Sequence, residues 1–417
     1  MLKNNKKEND LMEKIVSLCK RRGFVFAGSE IYGGLAGTYD WGHYGVALKN
    51  NIKQSWWKKF VDGRRDIYGI DTAILMSSKV WEAAGHVANF ADPLDGKQFN
   101  TMLQTSVGAK KDEIAISYLR PETAQGMFVN FKNIIDALHP KLPFGMAQIG
   151  KAFRNEIAPR DFLFRQREFE QMEIEYFIRQ EDWEKYFEYW KSEMLDWMEE
   201  IGLDLAKIHE LEVPSLDRAH YSKRTIDFEF DYPFGRKELF GLAYRADFDL
   251  KNHQLEYIDE PSDAEAKTGN GKSEKIIPHV IEPTFGVDRA VLALLLSVYA
   301  EDEKDGEMRS YLKFKPSIAP VICAVSPLLK NKPELVEYAN TKIYAPLKAE
   351  FGRVAWDDNG NIGKRYRRQD EIGTPFCIVV DFDTLTDNMV TVRDRDTGKQ
   401  ERIKVEDLKK YIKEKII

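Results

Sequence analysis

The chain has 417 residues, 43% hydrophobic and 31% charged, an ordinary balance for a soluble globular protein with sizeable cores and a length that suggests about three domains. A formal net charge of -6 and a pI near 5.8 exclude a globally basic nucleic-acid binder, so any nucleic acid must meet a local basic patch. Cys19, Cys323 and Cys377 are too far apart for a disulfide framework or a zinc spacing, the start MLKNNKKENDLMEK lacks the apolar core of a signal peptide, and no later run approaches a membrane span, so a reducing, cytoplasmic setting with no membrane partner is expected.

Residues 11–22 (LMEKIVSLCKRR) have helical spacing. The next stretch, GFVFAGSEIYGGLAGTYDWGHYG, holds five glycines between Gly33 and Gly45 among aromatic residues and reads as an ordered, irregular loop. VALKNNIKQSWWKKFV then places Val46, Ile52, Trp56, Trp57 and Phe60 on an amphipathic helix, whose tryptophan seam suits either a core or a subunit interface. DIYGIDTAILMSSKVWEAAG suggests a strand and a turn, and Asp95-Gly96 is a turn signal joining two extended segments. In SYLRPETAQGMFVNF (117–131) a strand ends in Arg120-Pro121-Glu122 and a helix starts near Thr123. Taken alone, Glu122 reads as an acid favoured by the helix dipole.

The stretch from Gly145 to Phe177, GMAQIGKAFRNEIAPRDFLFRQREFEQMEIEYF, predicts two strands around a loop. Ala152, Arg154 and Glu156 share one face of the first strand, opposite Ile149, Lys151 and Phe153. Beyond the loop Arg165, Arg167, Phe169, Gln171, Glu173 and Glu175 alternate onto one face, with Met172, Ile174 and Tyr176 behind. The Ala158-Pro159-Arg160-Asp161 run has turn chemistry. Arginine forks suit phosphate oxygens, Phe169 offers a ring to stack on a purine, and Glu156 can accept from an exocyclic amine. The alternative is a solvated outer face of an antiparallel sheet.

Residues 181–201 form an amphipathic helix with Trp183, Phe187, Trp190, Met194, Trp197 and Ile201 along one side, a core stripe. TIDFEFDYPFGRKELFGLAYRADFDL alternates with period two and supplies two further strands, and Glu260 to Lys275 reads as an exposed loop. HVIEPTFGVDRAVLALLLSVYA is a strand, a turn at Gly286 and an apolar helix; its start, with Arg289 one turn in, suits an anion. Glu282 and Thr284, two apart, share a face. From 316 to 417 strands and helices alternate and close with a hairpin and a last helix, a small α/β domain. That region is slightly basic, its charge concentrated at Lys364, Arg365, Arg367 and Arg368 beside Tyr366, either a solvated face or an RNA contact.

Together GSEIYGGLAGTYDWG, YLRPETAQGMFVNFKN, FRNEIAPRDFLFRQREFEQMEIEYF, IEPTFGVDRAVLALL and IGKRYRRQDEIGTPFCIVVDFDTL resemble glycyl-tRNA synthetases of the homodimeric class II type. The resemblance runs over nearly the whole chain, with five motifs in order. It implies an α+β catalytic domain over residues 1–315, an antiparallel sheet flanked by helices, and an α/β anticodon-binding domain over 316–417. Motif 1 then lies at about 45–80, motif 2 at about 145–177 and motif 3 at about 279–299, with the adenylation site wholly upstream of Pro316.

The implied reaction joins glycine to ATP as glycyl-adenylate, then transfers the glycyl group to the 3′ end of tRNA(Gly), with ATP as substrate, Mg²⁺ and no zinc. Carried over by motif position, Arg154 and Arg289 are the catalytic residues. Arg154, Asn155, Glu156, Phe164, Arg165, Phe169, Glu238, Leu239, Gly286 and Arg289 take ATP, with Glu238 beside its metal. Glu122, Gln171, Glu173, Glu282 and Thr284 line the glycine pocket. Lys364, Arg365, Arg367 and Arg368 contact tRNA, and the protein works as a homodimer.

Three departures stand out: Thr284 replaces a serine, His43-Tyr44 replace a proline-leucine, and a short turn between Asp92-Pro93 and Phe99 replaces an insertion. Two rivals are a non-catalytic, nucleic-acid-binding accessory subunit on this fold and an adenylating enzyme with a non-tRNA acceptor. The first tends to lose the motif arginines and glutamates, and the second the C-terminal domain; all are present here.

Overall fold

The computed structural model describes residues 2–94, 97–108, 115–259, 273–304 and 306–416. Its main sheet has seven strands: β1 (Ile67–Gly69), β2 (Phe144–Phe153), β3 (Glu168–Ile178), β4 (Ile208–Glu212), β5 (Arg224–Tyr232), β6 (Gly235–Ala246) and β7 (His279–Gly286), in the order β4-β5-β6-β7-β3-β2-β1. Every pairing is antiparallel except β1 with β2. The predicted hairpin is the β2–β3 pair, with Phe169 opposite Ala152 and Glu173 opposite Gln148. Strand β2 stops at Phe153, so Arg154 and Glu156 lie in the loop just beyond it. Because alternation sends Met172, Ile174 and Tyr176 into the core, the polar set of β3 must face the other way.

Helices cover the apolar side. α1 (Leu2–Arg22) begins earlier than its periodic stretch. α2 (His43–Trp57) begins three residues before Val46 and continues as a π-turn over Lys58–Asp62. The last glycines of the presumed loop thus belong to the helix start: a Cβ on Gly45 would lie 1.9 Å from the Phe24 carbonyl oxygen. His43-Tyr44 open this helix, with the Tyr44 ring against Phe24. Trp56 is buried among Phe60 and Phe285, so that part of the seam is core. α3 (Ala124–Val129) follows the Arg120-Pro121-Glu122 strand end as expected, and α4 (Trp183–Ile201) buries Phe187, Trp190, Met194 and Trp197 against the same aromatic cluster. α5 (Phe248–Asn252) follows β6, and α6 (Val287–Val298) leaves β7 at Gly286.

Beyond Leu75–Met76 the chain makes a short helix, Ser78–Ala83, that the sequence did not suggest. Ala91–Leu94 and Lys97–Asn100 pair antiparallel; the Asp95-Gly96 turn lies outside the described residues. So do residues 260–272 of the expected loop, whereas Glu274 and Lys275 are in a strand paired with Tyr257–Asp259.

The C-terminal sheet comprises β8 (Cys323–Pro327), β9 (Val354–Trp356), β10 (Phe376–Val380), β11 (Met389–Asp394) and β12 (Gln400–Lys404), ordered β9-β8-β10-β11-β12. β8 runs parallel to β9 and β10, and the rest is antiparallel. It encloses its own core, from Ile322 to Ile412. One helix, α7 (Ile362–Ile372), turns toward the first body: Ile372 packs in the same cluster as Leu312 and Phe314.

Candidate active site

Strands β3, β6 and β7 present their polar face to a cavity of about 330 Å³. Fourteen of the fifteen residues expected to take ATP or glycine line it. Glu122, Gln171, Glu173, Glu282 and Thr284 line it, as do Arg154, Glu156, Phe164, Arg165, Phe169, Glu238, Leu239, Gly286 and Arg289. Asn155 does not; its backbone N–H donates to the Thr101 carbonyl at 2.7 Å.

At one end the side chains are acidic. The Thr284 hydroxyl donates to Glu173 Oε1 at 3.0 Å, and Thr123 donates to the other oxygen at 2.5 Å. Glu282 Oε1 accepts from Arg245 Nη1 at 2.6 Å, and Arg245 also grips Asp249 at 2.7 and 2.8 Å. Glu122 is buried rather than an exposed helix acid; His86 Nε2 lies 3.1 Å from its Oε1. Burial opposes its ionisation, yet His86, Arg245 and Arg154 together hold its carboxyl well below the usual range. Glu173 is pushed up by burial and by Glu122. Carboxyl oxygens of Glu173, Glu175 and Glu282 lie within 4.8 Å of one another. With Arg245 already on Glu282, this group suits an ammonium better than a hard dication.

The other end is cationic and aromatic. Arg154 donates from Nε to the Pro121 carbonyl at 3.1 Å and lies between the rings of Phe90 and Phe169, 5.2 and 5.4 Å from their centres. Arg165 pairs with Glu156 across the loop. Arg289 meets Glu238 Oε2 at 3.1 Å and covers the Phe164 ring at 4.5 Å. Arg289 holds the Glu238 carboxyl below its ordinary pKa. Asp227, beside it, is pushed up to about 7 by burial and then by Glu238 and Glu229. These two carboxyls are the donors at this end that fit a phosphate-borne cation. Asp288 accepts from the Glu170 N–H at 2.7 Å and from Lys49, which ties the start of α6 to β3 and α2.

Sequence reasoning missed Arg245, Asp249, His86, Tyr221 and Asp227. Arg245 sits at the β6–β7 register shift between Tyr244 and Ala246, where simple alternation cannot assign a face. Its guanidinium is 3.6 Å from the Tyr221 ring centre. An arginine directly after the largely apolar run Leu239–Tyr244 was the available signal.

The basic helix differs most from expectation. Arg365 is 3% exposed, its guanidinium donating to the Gly360 and Pro327 carbonyls, so it offers nothing to RNA at the surface. Arg368 pairs with Asp357, and Arg367 with Glu307. Glu371 binds Arg21 at 3.1 Å, and Asp370 binds Arg309. Lys364 and Arg367 remain exposed.

Residues 109–299 match the family model described as tRNA synthetase class II core domain (G, H, P, S and T), and residues 322–415 match the anticodon binding domain. The chain is 44% identical to the glycine–tRNA ligase of Caldanaerobacter subterraneus subsp. tengcongensis, covering 97% of this chain and 98% of that one. It is 41% identical to that of Thermus thermophilus (97% and 99%) and 43% identical to that of Clostridium acetobutylicum (98% and 100%). These alignments run over 462, 499 and 469 residues against 417 in the chain, so the relatives carry inserted residues that it lacks.

Proposed function

The chain belongs to the glycyl-tRNA synthetase family of class II aminoacyl-tRNA ligases, and we propose that the cavity on β3, β6 and β7 is where it performs both steps of that reaction. The protein activates glycine with ATP and transfers it to the 3′ end of tRNA(Gly). The observation that carries the site assignment is a single cavity with carboxylates at one end and arginines at the other. It suits an ammonium at one end and a triphosphate at the other.

In the first step a glycine carboxylate oxygen bonds to the ATP α-phosphorus, and the bond to the β-phosphate breaks to release pyrophosphate. Arg154 holds the meeting carboxylate and α-phosphate, so that charge developing there meets a fixed guanidinium. Arg165 closes the loop over the nucleotide, Phe169 stacks with adenine and Glu156 accepts from its exocyclic amine. Arg289 and Gly286 hold the distal phosphates. In the second step the terminal ribose hydroxyl of tRNA attacks the activated carbonyl and AMP leaves. Holding the reactants in place supplies much of the rate, since no enzyme nucleophile is needed. Mg²⁺ carried with ATP would be held by Glu238 with Asp227 beside it and would neutralise phosphate charge.

Glycine is chosen by its ammonium, held by Glu122, Glu173 and Glu282, and by lack of room. A pocket that only omits a methylene discriminates by about 1–3 kcal/mol; a wall that clashes with a methyl does better. Thr284 keeps the hydroxyl that binds Glu173 and adds a methyl to that wall.

The domain boundary is placed near Pro316, and of the tRNA contacts proposed on α7 only Lys364 and Arg367 are supported by exposure. A homodimer is supported by an apolar strip on the glycine-rich segment and α2, where Ile31 and Tyr32 are 87% and 86% exposed and Leu35 and Val46 are also open. Three buried free cysteines accord with a reducing cytoplasm. None of the described helices is long and apolar enough to cross a membrane. The accessory-subunit reading has no support: the relatives are ligases, and Arg154, Glu156 and Arg289 are retained. ATP–pyrophosphate exchange with each of the twenty amino acids tests the assignment; exchange with glycine alone is expected, and exchange with another amino acid instead would overturn it.

A further inference from the structure

Glu175 is fully buried, and neither of its carboxyl oxygens has a hydrogen-bond partner among the described residues. It lies on β3 two residues after Glu173, on the same face. The register on either side, Glu173 opposite Thr284 and Tyr176 opposite Ile281, sets Glu175 across from Glu282 on β7. Two ionised carboxylates facing each other across a sheet repel. An ionised carboxylate is also an acceptor only and cannot go without donors in a dry interior.

The nearby cations are committed elsewhere. Arg245 on β6 directs its bonds to Glu282 and to Asp249 on α5, and none to Glu175. Gln125 on α3 serves Asp249 at 2.8 Å and Glu122 at 3.3 Å. Glu173 already accepts from Thr123 and Thr284. Glu282, by contrast, accepts from Arg245 through one oxygen, and carboxyl oxygens of Glu173, Glu175 and Glu282 lie within 4.8 Å of one another.

We propose that Glu175 is a positioning residue of the glycine pocket that works as a neutral carboxylic acid, its O–H directed to the Glu282 carboxylate from behind the cavity. It does not line the cavity and touches no substrate. Its proton supplies a second donor beside Arg245, so Glu282 keeps its charge and orientation toward the substrate ammonium while only one of the facing pair is ionised. Burial pushes both carboxyls of the pair well above the ordinary range, and the direct bond from Arg245 opposes this at Glu282, which places the shared proton on Glu175.

The inference rests on the glycine-pocket assignment, and the test separates the two. Pyrophosphate exchange is measured for Glu175→Gln, Glu175→Leu and Glu282→Gln with glycine and ATP varied in turn. The amide of Glu175→Gln keeps a donor without charge, so its glycine KM stays within about twofold of the wild type. Glu175→Leu removes the donor; loss of a hydrogen bond to a charged group raises the glycine KM by about tenfold or more, with the ATP KM little changed. Thermal unfolding supplies a second readout. A raised carboxyl stabilises the fold fully below its unfolded pKa and loses that contribution as pH rises, so the wild type declines more steeply than Glu175→Gln as pH rises above the ordinary glutamate pKa of about 4.3. A Gln variant as impaired as the Leu variant, or a harmless Leu variant, overturns the proposal. If Glu175→Leu does not fold, the Gln variant decides alone, and a tenfold rise in its glycine KM is the overturning result. An unchanged glycine KM in Glu282→Gln would overturn the pocket assignment itself.

Discussion

Arg309 donates to Asp370 across 61 residues of sequence, Nη1 to Oδ2 at 3.1 Å, with both side chains buried. Arg393 closes on the same carboxylate at 2.8 and 2.9 Å, and Ile372, two residues on, packs in the cluster that holds Leu312 and Phe314. The C-terminal region is therefore bolted, by a buried charge network and apolar contacts, to the antiparallel pair Tyr299–Lys304 and Glu307–Leu312 that follows α6. The residues proposed for adenylation all lie upstream of Pro316, while Asp370, Ile372 and Arg393, which pack against that part of the chain, lie beyond it. Removing one partner of a buried ion pair costs about 3–5 kcal/mol, so Asp370→Ala is expected to lower the urea midpoint markedly. A fragment ending at 315 should lose exchange activity through instability; a stable, active fragment would contradict this.

Arg154→Ala should abolish adenylate formation with the fold retained. Losing one fixed donor to developing charge costs about 2.7–4 kcal/mol in the transition state. Single-turnover adenylate formation and far-ultraviolet circular dichroism measure the two halves of the claim, and near-normal exchange would remove Arg154 from the reaction.

Glu173→Gln should raise the glycine KM much more than the ATP KM, because Glu173 lies at the acidic end with Thr284 and away from Arg289. Equal rises in both would place Glu173 in general support of the site.

Lys364→Ala with Arg367→Ala should weaken tRNA binding and flatten its dependence on salt by about one unit of slope per lost phosphate contact. Arg365→Ala should act differently, lowering thermal stability, because that side chain holds the Gly360 and Pro327 carbonyls. Filter binding across a salt series and thermal unfolding separate these effects; unchanged affinity in the double variant would move the RNA surface elsewhere.

Asp227 gives a pH prediction. Its pKa is raised to about 7, chiefly by burial and then by Glu238, from about 3.9 in an unfolded chain. Its contribution is thus complete below about pH 4 and is lost as pH rises through about 7. Asp227→Asn should flatten that part of the stability curve, gaining on the wild type between pH 5 and 8. Parallel curves would show that Asp227 does not titrate there.

The sequence by itself determined the hairpin, the strand that carries Glu282 and Thr284, and the helix that carries Arg289. Each is an alternating or helically periodic run in which burying the apolar set leaves only one direction for the polar one. That is why Glu173 and Thr284 could be read as facing one site from strands more than a hundred residues apart. Only the tertiary structure decided what surrounds them. Arg245 escaped because a register shift interrupts the alternation that would have assigned it, and His86 because it reaches Glu122 through packing rather than spacing. The basic run at Lys364–Arg368 shows the same limit from the other side. Composition records how many charges a helix carries, but a charge is free or spent according to what packs against it, and the carbonyls and carboxylates that occupy Arg365 and Arg368 come from other parts of the chain.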